Sequence, residues 1–279
     1  MSNRSRPQAA LGLTLVLLAT PLAAQTSEGA SPAPAAAPAT SPAGVRAAGV
    51  RAAADLTPRL VAWYGTPYVA EHEAPHGAGA VVDGVDLPPE GARSVTRRFQ
   101  LFDRLILTPP TGVAGAVGDS LLLVRRGPSL GAGQVVLPTG IAVIDGVAGS
   151  LRTARLVRVY DVVMAEQGVL PLPAVPAVDS AARGGRREAT VAWIAGGAEL
   201  PTLQDVVVLA GGQAAGLHEG DRLELIGDGR RIAGGPFLPG TRTATVRVVR
   251  VTPWGASARI ESQLQPAITV GMGARELPR

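Results

Sequence analysis

The residues best equipped for chemistry are the histidines of His72-Glu73-Ala74-Pro75-His76, a literal H-E-x-x-H in a chain of 279 residues. On a helix that spacing puts both imidazoles on one face, where they hold a zinc ion while the glutamate acts as general base. Gly79 also stands where the longer zinc-protease motif has a glycine. Against this, Pro75 sits inside the turn that would have to be helical, and its ring disfavours helix at Ala74. The third histidine of the longer motif would fall at Val82, which cannot ligate zinc, and Asp83 is one residue out of register. The segment therefore reads as a loop before a strand. No catalytic, cofactor-binding or metal-ligating residue is assigned, and a zinc-dependent periplasmic hydrolase using His72, Glu73 and His76 stands as an alternative.

Two further groups of side chains invite a functional reading. Trp63, Tyr64 and Tyr68 form the densest aromatic patch. Such rings offer a stacking platform for carbohydrate, which makes them the candidate ligand surface, but the reading favoured is a segment packed on the first module, since exposed aromatics usually find cover. Gly118-Asp119 and Gly220-Asp221 each stand between two apolar runs. Glycine supplies positive φ in a tight turn and the Asp carboxylate caps nearby backbone N–H groups, so these four residues read as structural turns. The glycine-rich residues 210–216, AGGQAAG, lack the Lys-Ser/Thr of a phosphate cradle.

The elements that must position these residues occur twice. Residues 103–124 (DRLILTPPTGVAGAVGDSLLLV) return as residues 205–226 (DVVVLAGGQAAGLHEGDRLELI) at a constant offset of 102. Each copy reads as an apolar strand, a Gly/Ala-rich turn, Gly-Asp and a second apolar strand. Alternation predicts a shared face of Phe99, Leu101, Leu105 and Leu107, with Asp103 the polar exception, and later Ala258, Ile260 and Leu264 opposite Ser257, Arg259, Glu261 and Gln263. Residues 125–134, with three glycines and a proline, read as a connecting loop. Both copies close on Leu-Pro, at Leu172-Pro173 and Leu277-Pro278. The expected fold is all-β: two tandem small β-barrel or sandwich modules, residues 56–173 and 188–279, joined by a linker at 174–187.

The amino terminus has the form of a secretory signal over residues 1–24: Arg4 and Arg6, an apolar run at 9–19, and small residues before Gln25. Residues 25–55 are rich in Ala, Pro, Ser and Gly and read as a disordered tether. No later apolar run is long enough for a transmembrane helix, so none is expected after signal cleavage. The expected location is the periplasm or cell envelope. Composition excludes other classes. The isoelectric point near 10.5 belongs to a net charge of only +4, because every cation is Arg and nothing titrates to hold it down. The Arg pairs at 97–98, 125–126, 186–187 and 230–231 are scattered and read as solvated strand ends, so no nucleic-acid partner is expected. With no cysteine there is no disulfide framework or thiol chemistry.

Two resemblances follow from these runs. Residues 212–227, GQAAGLHEGDRLELIG, are similar to the core of a PDZ domain, which implies a peptide-binding adaptor as a second alternative. DVVVLAGGQAAGLHEGDRLELI, TATVRVVRV and ASARIESQLQPAITVGMGARELP together resemble the C-terminal region of bacterial envelope proteins that begin with a LysM domain, over residues 58–278. There is a weaker likeness to the C-terminal β-module of a flagellar assembly protein. No LysM motif stands between signal and tether, where residues 25–55 take its place. The resemblance implies an exported, non-enzymatic envelope protein with a binding or assembly role, no cofactor, and peptidoglycan or envelope proteins as partners.

Overall fold

The computed structural model describes residues 56–72, 78–85, 97–131, 133–176, 187–197, 199–231 and 233–277. The signal-like segment, the tether, Glu73, His76 and most of the linker lie outside the described residues. The first half contains helix α1 (Pro58–Gly65) and strands β1 (Tyr68–Glu71), β2 (Gly79–Gly84), β3 (Arg98–Phe99), β4 (Arg104–Leu107), β5 (Ser120–Leu130), β6 (Gly133–Ala148), β7 (Leu151–Val159), β8 (Val163–Met164) and β9 (Gly168–Pro171). The second contains β10 (Glu188–Ile194), β11 (Val206–Ala210), β12 (Arg222–Ile226), β13 (Arg230–Arg231), β14 (Phe237–Leu238), β15 (Arg242–Thr252), β16 (Gly255–Gln263) and β17 (Gly273–Glu276).

Each half closes an antiparallel six-stranded barrel. In the first the ring runs β6-β5-β9-β2-β4-β7 and back to β6; in the second it runs β15-β12-β17-β10-β11-β16 and back to β15. Taken in chain order the two rings are the same, so the tandem repeat is a repeat of topology. Closure removes the free edges that short, apolar strands would otherwise expose. The interiors are filled by alternate residues: Leu105, Leu107, Leu121, Leu123 and Leu156 in the first barrel, Leu209, Leu223, Leu225, Val246 and Ile260 in the second.

The Gly-Asp pair is one case of a turn used repeatedly at strand entries. Asp119 Oδ2 accepts from Ala116 N–H and Asp221 Oδ2 from His218 N–H, both at 2.8 Å. Asp103 does the same for Gln100 at 2.8 Å and Asp205 for Thr202 at 2.7 Å. The residue before each Asp has positive φ: 75° at Phe102, 94° at Gly118, 74° at Gln204 and 92° at Gly220. Its N–H, and the carbonyl of the Asp, then bond one residue of the neighbouring strand: Leu156, Ile144, Ile260 and Val248 in turn. The turn therefore starts the ladder with the N–H of the positive-φ residue and both backbone groups of the Asp engaged. An L side chain at that φ costs about 1 kcal/mol or more, which glycine avoids. Gln204→Gly is accordingly expected to raise the unfolding free energy by about 1 kcal/mol, and Gly220→Ala to lower it by a similar amount. Urea midpoints of the two variants check this, and opposite shifts are the expected outcome.

Three local expectations are corrected. Residues 125–134 are not a loop: β5 and β6 run through them as a long hairpin arm, and Gly127-Pro128 makes a bulge between Arg126 and Ser129. The face expected from Phe99 to Leu107 is broken at Phe102, so Phe99 is buried while Leu101 is 46% exposed. In the other alternating run Ser257 is buried and Leu264 is 61% exposed.

Helix α1 was not legible as a helix in the alternation pattern. Thr57 caps it, with its hydroxyl accepting from Leu60 N–H, and Pro58 holds the first helical position. It lies on the outward face of the first barrel, where Leu122, Val124, Val136 and Ile141 point. The continuous run Leu121–Val124 is thereby explained: odd positions fill the barrel and even positions pack under α1. Strand β1 then adds to the open arm of β6, in register Tyr68 with Val136 and Glu71 with Gly133.

Candidate functional site

The aromatic trio is sealed in, packed on the first module as favoured from the sequence and not open as a ligand surface. Trp63, Tyr64 and Tyr68 are 5%, 2% and 9% exposed. The cause is a seam in which α1 and β1 lie between the first barrel and strands β15 and β16 of the second. Arg250 enters from β15, its guanidinium carbon 3.4 Å from the Tyr68 ring centroid and 3.9 Å from that of Trp63. Trp63 meets Tyr64 edge to face at 5.3 Å, and its indole N–H donates to Glu219 Oε1 at 2.6 Å. Arg59 is 3.6 Å from the other oxygen of Glu219. Tyr64 donates its hydroxyl to Pro173 O at 3.0 Å. Ser257 is buried because its hydroxyl donates to Pro67 O across the same seam. Glycine at 133 and at 255 lets Val69 approach both barrels; a methyl group at either would overlap its side chain. Burial pulls the Arg250 guanidinium down from its ordinary value to about 10, with Tyr68 and Glu219 acting against that.

Of the zinc motif only His72 lies among the described residues. His72 is an exposed turn residue directly after β1, its Nε2 3.3 Å from Gly131 O. Among the described residues no three His, Cys, Asp or Glu side chains are gathered to hold a metal ion. The PDZ-like stretch holds no open groove edge, since β12 is paired with β15 on one side and β17 on the other.

The Gly-Asp turns carry a difference between the barrels. In the second, Asp221 Oδ1 also accepts from Arg187 at 2.7 Å, and the same guanidinium nitrogen lies 3.4 Å from Glu276. Arg187 is 7% exposed, so this member of the Arg pairs is a buried clamp rather than a solvated strand end. It lines a cleft of about 870 Å³ with Arg222 and Glu261, which pair at 2.9 Å. The charges on that cleft answer one another across it.

A smaller pocket, about 440 Å³, opens between the two barrels beside the seam. The first barrel contributes Tyr160, Pro138 and the exposed pair Arg125–Asp161, joined at 3.0 Å. The second contributes Trp193 and the turn Gly196-Gly197. Trp193 is half-buried on β10, where a bulge between Val191 and Trp193 turns it outward from the barrel. Tyr160 packs against Gly65 at the end of α1, so the seam and this pocket share a wall. Its volume is that of a small-ligand site, about 300–1,000 Å³. Sequence reasoning passed over Trp193 and Tyr160 because each stands singly; an outward Trp in a strand whose neighbours Val191 and Ile194 fill the barrel was the available signal.

No helix among the described residues is long and apolar enough to cross a membrane. The sequence matches no protein-family model, and no curated protein matches it.

Proposed function

We propose that this chain is an exported, non-enzymatic protein of the cell envelope, with a binding or assembly role at peptidoglycan. The observation that carries the binding reading is the use made of the acidic side chains at the repeated turns: Asp103, Asp119, Asp205 and Asp221 each hold a backbone turn closed. A carboxylate so engaged is scaffold, and the concave surface between the barrels holds the rings of Trp193 and Tyr160 beside the Arg125–Asp161 pair. Export is supported by the signal-like residues 1–24, and the envelope by the likeness to LysM-bearing envelope proteins. The pocket between the barrels is the binding site of this proposal.

The test is fractionation of cells making the full chain, followed by co-sedimentation of the purified protein with washed peptidoglycan sacculi. The expected result is recovery from the periplasmic fraction and pelleting with the sacculi. Retention in the cytoplasm, or a protein that stays in the supernatant, overturns the proposal.

A further inference from the structure

We infer that the pocket between the barrels is a saccharide subsite, in which a sugar ring of a glycan strand stacks on Trp193 and Tyr160. This rests on the envelope reading above and names the ligand class of that same site. An aromatic ring presents an apolar face, which suits the C–H face of a pyranose, and the polar contacts fall to groups at the rim because the Tyr160 hydroxyl is buried. Here the two rings come from opposite barrels. At the rim, Arg125 and Asp161 stand 3.0 Å apart, both about half exposed, a donor and an acceptor at the spacing of neighbouring sugar hydroxyls. Gly196 and Gly197, at φ 76° and 64°, have open space where side chains would stand, so a bulky ring can approach their backbone.

The alternative occupant of such a groove is an extended peptide, and the local backbone argues against it. Peptides commonly dock by adding a strand to a free edge. The edge beside this pocket is the β5 arm, where Pro128 has no N–H and the carbonyl of Gly127 is taken by the Gln134 side-chain amide. That edge has no ladder to extend. A sugar needs only ring faces and scattered hydrogen-bonding groups, which are what the pocket holds.

Calorimetric titration of the full chain with the β-1,4-linked tetramer of N-acetylglucosamine tests this, using the parent, Trp193→Ala, Arg125→Ala and Trp254→Ala. Trp254 is 37% exposed and does not line the pocket, so its variant is the control. The expected result is saturable binding by the parent, weakened about tenfold or more by Trp193→Ala and severalfold by Arg125→Ala, with Trp254→Ala unchanged. Arg125 is exposed, so its variant keeps the test decisive if Trp193→Ala does not fold. Equal affinity of all variants overturns the subsite, as does a parent that binds no tetramer or that binds a proline-rich peptide in its place. Sedimentation with sacculi is read separately. A parent that pellets but ignores the tetramer leaves the envelope reading standing and removes only the saccharide.

Discussion

Arg250→Ala is expected to lower the unfolding free energy by about 3 kcal/mol, while Arg250→Met stays within about 1 kcal/mol of the parent. The two numbers differ because the guanidinium contributes in two opposed ways. It stacks between Tyr68 and Trp63 at 3.4 and 3.9 Å, an arrangement worth up to about 2 kcal/mol when desolvated. Yet the side chain is 6% exposed, and burial of its charge opposes that gain, which is why its proton is held less tightly than usual. Alanine removes the stack and leaves a hole under two aromatic rings. Methionine fills the slot without a charge to desolvate. Urea midpoints of the three proteins measure the difference. Equal losses for both variants would mean that charge, and not packing, holds the seam.

Raising the pH past about 10 is expected to unfold the protein, with tyrosine ionisation as the coupled event. The chain has three tyrosines. Burial raises the pKa of Tyr64, Tyr68 and Tyr160 alike, with Arg250 pulling the first two partly back and Arg158 the third. Their folded values lie above the unfolded value near 10, so above it the native state binds more protons. Stability is then full below about pH 10 and falls as the pH rises through the folded values. Arg250 acts with the opposite sign: its folded value of about 10 lies below the ordinary guanidinium range, so it adds stability as the pH rises from there toward that range. One arginine against three phenols leaves the net slope negative. Tyrosinate absorbance followed alongside circular dichroism should stay flat past pH 10 and then rise in a single step with loss of structure. A titration near pH 10 with the fold intact would show that the phenols are in water.

The barrels were legible because the repeat is written in the interior. The constant offset between Asp103 and Asp205, and between Gly118-Asp119 and Gly220-Asp221, survives because each turn needs its Asp three residues after the N–H it caps. Strand β6 was harder to read. Its first part has no counterpart in β15, and Gly133, a loop signal in sequence, is there to admit Val69. The seam was illegible for a different reason. Trp63, Tyr64 and Tyr68 are aromatic whether they face a ligand or a neighbouring barrel, and only the position of Arg250, some 180 residues later, decides it. Ser257 and Arg187 were read as solvent-facing by their polarity, and both are buried by partners distant in sequence: Pro67 for one, Asp221 and Glu276 for the other. Binary patterning reports which face of a strand is polar; it does not report what comes to cover that face.

The account depends on the two barrels being copies of one unit that α1, β1 and Arg250 join into a single cooperative body. Scanning calorimetry of the parent protein tests that most directly. A single transition, with calorimetric and van't Hoff enthalpies in agreement, is the predicted result. Two transitions in the parent, each with the enthalpy of one barrel, would contradict it.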